Sequence, residues 1–296
     1  MDRKQQYSST GYCLFFPFDH SFRSLWAYSN YGIFLGQESA ARAAGLTAPQ
    51  LLSKAIFEPL GMTRSGPTQA ELFKDANRVA ARNIDNSIMP YENVDKFSGA
   101  GAVVSTGADI ARWMRVLLTG GLFGGKRILA KATVTQIFAA SMVQGIGGPL
   151  HDPNDSAGLG CESYHFLRYR VIEKNGALNG VWTIVTLIPE RNIGIAVFAN
   201  KQLTTFPEAV RAEFLERELG RLHHNSPCSG RSARKGVTNL ISGVFQPGKV
   251  AAHPAGSNEA GRAPRIHCSL ELTVFRRSSV QPLQVFRRQW RSARKQ

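Results

Sequence analysis

Polar and apolar positions change their period part-way along this chain. In the first half, apolar residues recur at helical spacing. Thr47 with Gln50 forms a capping-box signature, and Leu51, Leu52, Ala55 and Ile56 follow on one helical face. Pro59-Leu60-Gly61 predicts the end of that helix. Thr106 with Asp109 opens a second helix, whose stripe is Ile110, Trp113, Met114, Leu117 and Leu118 and whose stop is Gly120-Gly121. Leu129, Val134, Ile137 and Phe138 predict a third. Beyond residue 168 the period becomes that of strands. Tyr169 to Glu173 predicts one strand, and Val181 to Ile188 and Ile193 to Ala199 are β-branched runs joined by the turn Pro189-Glu190-Arg191-Asn192. Thr205 with Glu208 caps a last amphipathic helix carrying Val210, Phe214, Leu215 and Leu219. Helices, then an antiparallel sheet, then a closing helix that covers it make an α+β arrangement.

The two ends lack such patterning. Residues 1–20 form an unpatterned head. Residues 225–296 are rich in Arg, Ser, Gly and Pro, and are expected to be a disordered basic tail behind a domain spanning 21–224. Charge divides in the same way. The tail holds 13 Lys and Arg against Glu259 and Glu271, a net of +11, which leaves +4 of the total +15 for the rest of the 296 residues. A solvated tail is the expectation, and a specific nucleic-acid role is not. The four cysteines, Cys13, Cys161, Cys228 and Cys268, have neither zinc-ribbon nor CxxC spacing, so free thiols are expected. No apolar run approaches the roughly 20 residues of a spanning helix. Arg3 and Lys4 precede the short run Tyr12 to Phe18, but Asp19-His20 follows in place of a small-residue cleavage site, so no export signal is read. His223-His224 reads as a solvated helix end, and His151, Asp152 and Asp155 as a surface turn. No metal or cofactor is expected.

Three segments remain as candidates for chemistry. Trp26-Ala27-Tyr28-Ser29-Asn30-Tyr31-Gly32 is an aromatic-rich loop entering a helix; core aromatics with an Asn turn would produce the same pattern. Phe97 to Thr106 is glycine-rich but has no Gly-Lys-Ser/Thr ending, which excludes a phosphate loop. Glu173-Lys174-Asn175-Gly176-Ala177-Leu178-Asn179-Gly180 heads the hairpin, and alone reads as a charged turn.

Taken in this order, the segments resemble the β-lactamase-related serine hydrolases, a family of penicillin-binding DD-peptidases, class C β-lactamases, esterases and D-aminopeptidases. Tyr28-Ser29-Asn30-Tyr31-Gly32 is similar to the family's Tyr-x-Asn motif. Phe57-Glu58-Pro59-Leu60-Gly61-Met62 resembles its Pro-Leu-Gly-Met helix end, and Gly99 to Ala111 its glycine-rich segment and following helix. Lys174-Asn175-Gly176 stands where the family has Lys-Thr/Ser-Gly or His-x-Gly. Leu187 to Asn200 resembles its terminal hairpin. Together these cover about residues 21–220.

The resemblance implies a serine β-lactamase/transpeptidase-like fold and a two-step acyl transfer through a serine ester, on peptide, ester or lactam substrates. It implies that Tyr28 serves as base or proton relay and that Asn30 hydrogen-bonds the substrate amide or the lysine. Lys174 would place positive charge near a substrate carboxylate. Asn175, Gly176 and Ala177 would line the substrate, with the Ala177 N–H as half of an oxyanion hole. Two departures stand out. Asn175 replaces the family's small hydroxyl residue. No Ser-x-x-Lys precedes Tyr28, although the family's nucleophile lies many tens of residues upstream and only 27 residues are present there. Ser232-Ala233-Arg234-Lys235 and Ser292-Ala293-Arg294-Lys295 match the string by chance, in the wrong chain order. The expectation is therefore a fold incomplete at its N-terminus and an inactive chain. The family fold takes one sheet edge and the nucleophile helix from the missing segment, so apolar faces are expected to stay uncovered. The alternative is a non-catalytic binding module whose basic tail contacts an acidic partner. Family members are often exported, but the compartment of this chain is left open.

Overall fold

The computed structural model describes residues 20–144 and 155–220, together with the backbone of Ser269–Arg276 and Phe286–Gln289. Helix α1 (Asn30–Ala43) follows the aromatic loop, with Ser29 as its N-cap. Helix α2 (Ala48–Leu52) starts at the expected capping box: Thr47 accepts from the Gln50 N–H, and Gln50 reaches back to the Thr47 N–H. It runs on through a π-helical turn (Ser53–Phe57) into the short α3 (Glu58–Leu60), where Gly61 at φ 61° ends it in the left-handed conformation. Helix α4 (Gln69–Lys74) and a glycine-rich π turn (Ser98–Ala102) lead to α5 (Gly107–Leu118). The Asp109 carboxylate accepts from the Arg64 N–H and the Ser65 hydroxyl, both at 2.9 Å, and so ties the chain after α3 to the start of α5. A two-residue hairpin, β1 (Leu122–Phe123) with β2 (Lys126–Arg127), then precedes α6 (Lys131–Phe138).

The sheet is antiparallel throughout. Its strands are β3 (Met142–Val143), β4 (Ser156–Ala157), β5 (Glu162–Phe166), β6 (Tyr169–Leu178), β7 (Val181–Ile188), β8 (Ile193–Ala199), β9 (Ser269–Arg276) and β10 (Phe286–Gln289), side by side in chain order. Helix α7 (Phe206–Leu219) covers one face. Val171, Ile184, Ile188, Ile195 and Val197 meet its Val210, Phe214 and Leu215 there. The alternate residues Ile172, Leu187 and Ala196 point the other way, onto Met114 and Leu117 of α5 and Val134 of α6. Because both faces are covered, β7 and β8 are apolar without alternation. An added Cβ at Gly194 would fall 2.8 Å from Leu187, Met114 and the Thr186 carbonyl, so only glycine lets α5 lie this close. A third cluster, Phe57, Leu60, Met62 and Val116, joins α2 and α3 to α5.

The structure departs from the sequence expectations in several places. Strand β6 does not stop at Glu173 but runs to Leu178, so Lys174, Asn175 and Gly176 lie in a strand paired with β7, and the turn comes at Asn179-Gly180. Strands β3, β4 and β5 are additions; they are short and carry Ser, Glu and His. Thr205 makes no side-chain capping bond, and Glu208 instead accepts from the Trp182 indole at 2.6 Å. Asp155 is buried rather than on a surface turn, while His151, Asp152, His223 and His224 lie outside the described residues. Within the expected disordered tail, Ser269–Arg276 and Phe286–Gln289 are strands. The sequence carries the reason: Leu270, Leu272 and Val274 alternate with Glu271 and Thr273, a strand period masked by the Arg-, Ser- and Pro-rich surroundings. Among the described residues no helix is long and apolar enough to cross a membrane.

Candidate active site

Tyr28 stands two residues before α1, and the first turn of that helix fixes its loop. The Ser29 hydroxyl accepts from the Gly32 N–H at 3.1 Å, so this serine is engaged as a cap. The Tyr28 hydroxyl donates to Asn30 Oδ1 at 2.9 Å. Strand β6 approaches from the sheet, and Lys174 Nζ sits over the Tyr28 ring, 5.1 Å from its centroid. Tyr28 and Asn30 therefore meet Lys174, far away in sequence, in one constellation at the surface. The glycine-rich turn is part of the same wall. Phe97 packs edge-on against Tyr31 and Phe34 of α1, with ring centroids 5.2 and 5.7 Å apart, and the Ser98 hydroxyl donates to Gln37 at 3.2 Å.

Sequence reasoning misses Glu162. Its carboxylate lies 3.7 Å from Lys174 Nζ, and both side chains are part-buried. Glu162 opens β5, a strand too short and polar to show a period, so no sequence signal marks it. Beside it, burial pushes the Cys161 thiol up to about 11, against the smaller opposing pull of the Lys174 charge.

The pairing register gives the end of β6 its character. Strand β5 pairs with β6 only as far as Glu162 opposite Glu173. From Lys174 onward β6 is paired on the β7 side, through Asn175↔Ile184, Gly176↔Thr183 and Ala177↔Trp182, and Asn175, Gly176 and Ala177 are exposed. An extended backbone could add along the other edge by main-chain hydrogen bonds. At Gly176 an added Cβ would come 2.9 Å from the Thr183 hydroxyl. A cavity of about 580 Å³ opens near this end of the sheet, lined by Leu178, Thr183, Gly101, Val103, Ser105 and Phe198; Tyr28, Asn30 and Lys174 stand outside it.

Behind Lys174, on the opposite face of β6, lies a buried polar network. Glu173 Oε2 accepts from the Thr186 hydroxyl at 2.7 Å and the Tyr164 hydroxyl at 3.0 Å. Arg211 of α7 donates to the Tyr164 oxygen at 2.6 Å and sits 3.7 Å from Glu173 Oε1. Burial raises the Glu173 pKa despite the Arg211 charge, and raises that of Tyr164, with the Glu173 charge adding to it. Burial works against the Arg211 charge, but Glu173 and Tyr164 outweigh it and its pKa rises. The network clamps α7 to the strand that carries Lys174.

A phenol beside an ammonium and an amide, next to an open strand edge, can hold a carbonyl substrate and relay a proton. Among the described residues no group of three or more His, Cys, Asp or Glu is placed to bind a metal.

Comparison with known proteins places the chain in a family and a fold. A model of the family described as Beta-lactamase matches residues 8–219. The D-alanyl-D-alanine-carboxypeptidase/endopeptidase AmpH of Escherichia coli K12 is 29% identical over 187 residues, which are 61% of this chain and 46% of that protein. The unguisins hydrolase ungD' of Aspergillus campestris is 25% identical over 187 residues, 60% of this chain and 34% of that protein. The chain thus spans less than half the length of these relatives. Among solved structures, an octameric penicillin-binding protein homologue from Pyrococcus abyssi superposes with a TM-score of 0.58 at 21% identity, covering 67% of this chain and 44% of that one. A class C β-lactamase superposes at 0.53 and 16% identity, covering 66% and 58%. At these identities the structural likeness is one of fold, an α+β β-lactamase/transpeptidase-like fold.

Proposed function

The chain belongs to the β-lactamase-related serine hydrolase family, and from that premise we propose that it carries the substrate-holding and proton-relay part of a serine acyl-transfer site. The observation that carries this reading is the meeting of Tyr28, Asn30 and Lys174: the tyrosine hydroxyl on Asn30 at 2.9 Å and the lysine ammonium 5.1 Å over the tyrosine ring. In this reading Tyr28 relays the proton, Asn30 orients the substrate amide, and Lys174 supplies positive charge. Asn175, Gly176 and Ala177 present the strand edge along which the acyl group lies, and the Ala177 N–H is aimed at its oxygen. The substrate is a carbonyl compound of the peptide, ester or lactam class. The name of the Escherichia coli relative, a carboxypeptidase/endopeptidase, supports the peptide among these.

The reading includes a negative. Within the 296 residues, Ser-x-x-Lys occurs only at Ser232–Lys235 and Ser292–Lys295, after the β7–β8 hairpin and outside the described residues. Ser29 is committed to capping α1. The chain itself therefore turns over no acyl substrate, since neither a phenol nor an ammonium replaces the acyl-accepting serine. Residues 225–296, which add β9 and β10 to the sheet of the domain of residues 21–224, take no part in the reaction and have no nucleic-acid partner. Treatment with fluorescent penicillin and with a fluorophosphonate, followed by peptide mapping, tests this. The expected result is no covalent adduct on any serine. An adduct on a serine, lost in Tyr28→Phe and Lys174→Ala variants, would show a complete catalytic site and overturn the negative.

A further inference from the structure

Strand β8 has the composition of an interior strand. Ile193, Ile195, Ala196, Val197 and Ala199 are buried, and the run shows no polar alternation. Such a strand cannot leave its outer N–H and C=O groups bare without presenting a sticky edge. Strand β9 lies along that edge in antiparallel register, from Ile193↔Arg276 to Ala199↔Leu270, and α5 runs against its backbone on one side. The segment has the sequence of a strand with one apolar and one polar face: Leu270, Leu272 and Val274 alternate with Glu271 and Thr273.

The connection is the informative part. Strands β4 to β8 are joined in turn by short connections, as β7 and β8 are by Pro189–Arg191 and Asn192. Between β8 and β9, by contrast, stand all of α7 and residues 220–268. No turn sets the β8–β9 register. The segment is therefore positioned by the sheet and not by a tight hairpin turn. Its hold comes from the ladder itself, which is recognition by strand addition.

We infer that the outer edge of β8 is a strand-binding site, and that its occupant is the chain's own segment 269–276, held as a tethered ligand. This goes beyond the acyl-transfer reading and stands whether or not Tyr28 and Lys174 serve catalysis. It also assigns a task to a stretch whose composition suggests none.

Backbone hydrogen exchange on the full chain tests it, beside a Leu272→Pro/Thr273→Pro variant. Two adjacent prolines remove the N–H facing β8 whichever of the two residues presents it. The expected result is a protected β8 in the parent. In the variant, alternate amides of 193–199 should lose protection while β6 and β7 keep theirs. A synthetic peptide of residues 269–276 should restore the lost protection, and a scrambled peptide should not. Unchanged exchange in β8, or equal rescue by the scrambled peptide, would overturn the inference. So would a dimer whose β8 stays protected in the variant, because a second copy would then be the occupant. Should the proline variant unfold altogether, a Phe198→Cys/Glu271→Cys chain decides, since these positions face each other in the register. A disulfide within one chain on mild oxidation supports the inference. Its absence, or its formation only between chains, refutes it.

Discussion

The two halves of β6 share one strand and have different surroundings. Tyr169 to Glu173 pairs with β5 on one side and β7 on the other, and its side chains reach the cores beneath α5 and α7. Lys174 to Leu178 pairs with β7 alone, and its central residues are exposed. The first half is held by packing and by the Glu173–Tyr164–Arg211 network. The second half keeps strand geometry because the first half and β7 impose it, which leaves its other edge without a strand among the described residues and Lys174 beside Tyr28. Adjacent residues thus divide the work, with Glu173 fixing the strand and Lys174 facing Tyr28. A site built on a rigid element in this way is more exact than one built on a loop.

Removing the Glu173 carboxylate should break the first half most severely. Glu173→Ala leaves Arg211 buried without its counter-charge, at a cost of about 3–5 kcal/mol. Urea unfolding measures it, and a loss no larger than that of an exposed ion pair would show that the network clamps nothing. Glu173→Gln sharpens the same point through pH. The folded-state pKa of Glu173 is raised by burial, so the folded state binds the proton more tightly than the unfolded one. Relative to Glu173→Gln, the parent should lose stability as pH rises from the ordinary carboxylate range through the raised value, and then level off. Stability that rises over that window would reverse the sign and contradict the burial argument.

Lys174→Ala, on the second half, should cost less than about 1 kcal/mol, because its pairing with Glu162 is partly solvent-screened, at 34% and 29% side-chain exposure. A loss comparable to that of Glu173→Ala would erase the contrast between the halves. The smallest effect concerns Cys161. With its thiol pushed up to about 11, it should alkylate with iodoacetamide at pH 8 far more slowly than an unfolded control. Equal rates would mean that the start of β5 is open.

Legibility followed the same contrast. The helices at Ala48 and Gly107 and the β7–β8 hairpin show in the sequence because covered faces demand apolar residues at fixed spacing. Lys174 to Gly180 offers no such run, since a half-exposed strand end needs none, and on its own it reads as a charged turn. Strands β3 to β5 are too short to show a period. Strand β9 does alternate, but its basic, proline-bearing surroundings hide it. Tyr28, Asn30 and Lys174 come forward only as motifs in a family order; nothing in their local patterns would select them. Glu162 belongs to no motif, and only the fold brings it to Lys174.

We propose that this chain holds and orients an acyl substrate without supplying a serine to accept the acyl group. Hydrolysis of a chromogenic lactam and of a p-nitrophenyl ester by the purified chain, beside Tyr28→Phe and Lys174→Ala, tests it most directly. The account predicts rates at the level of buffer for all three proteins. Turnover well above buffer that vanishes in both variants would contradict it, because a serine would then complete the site.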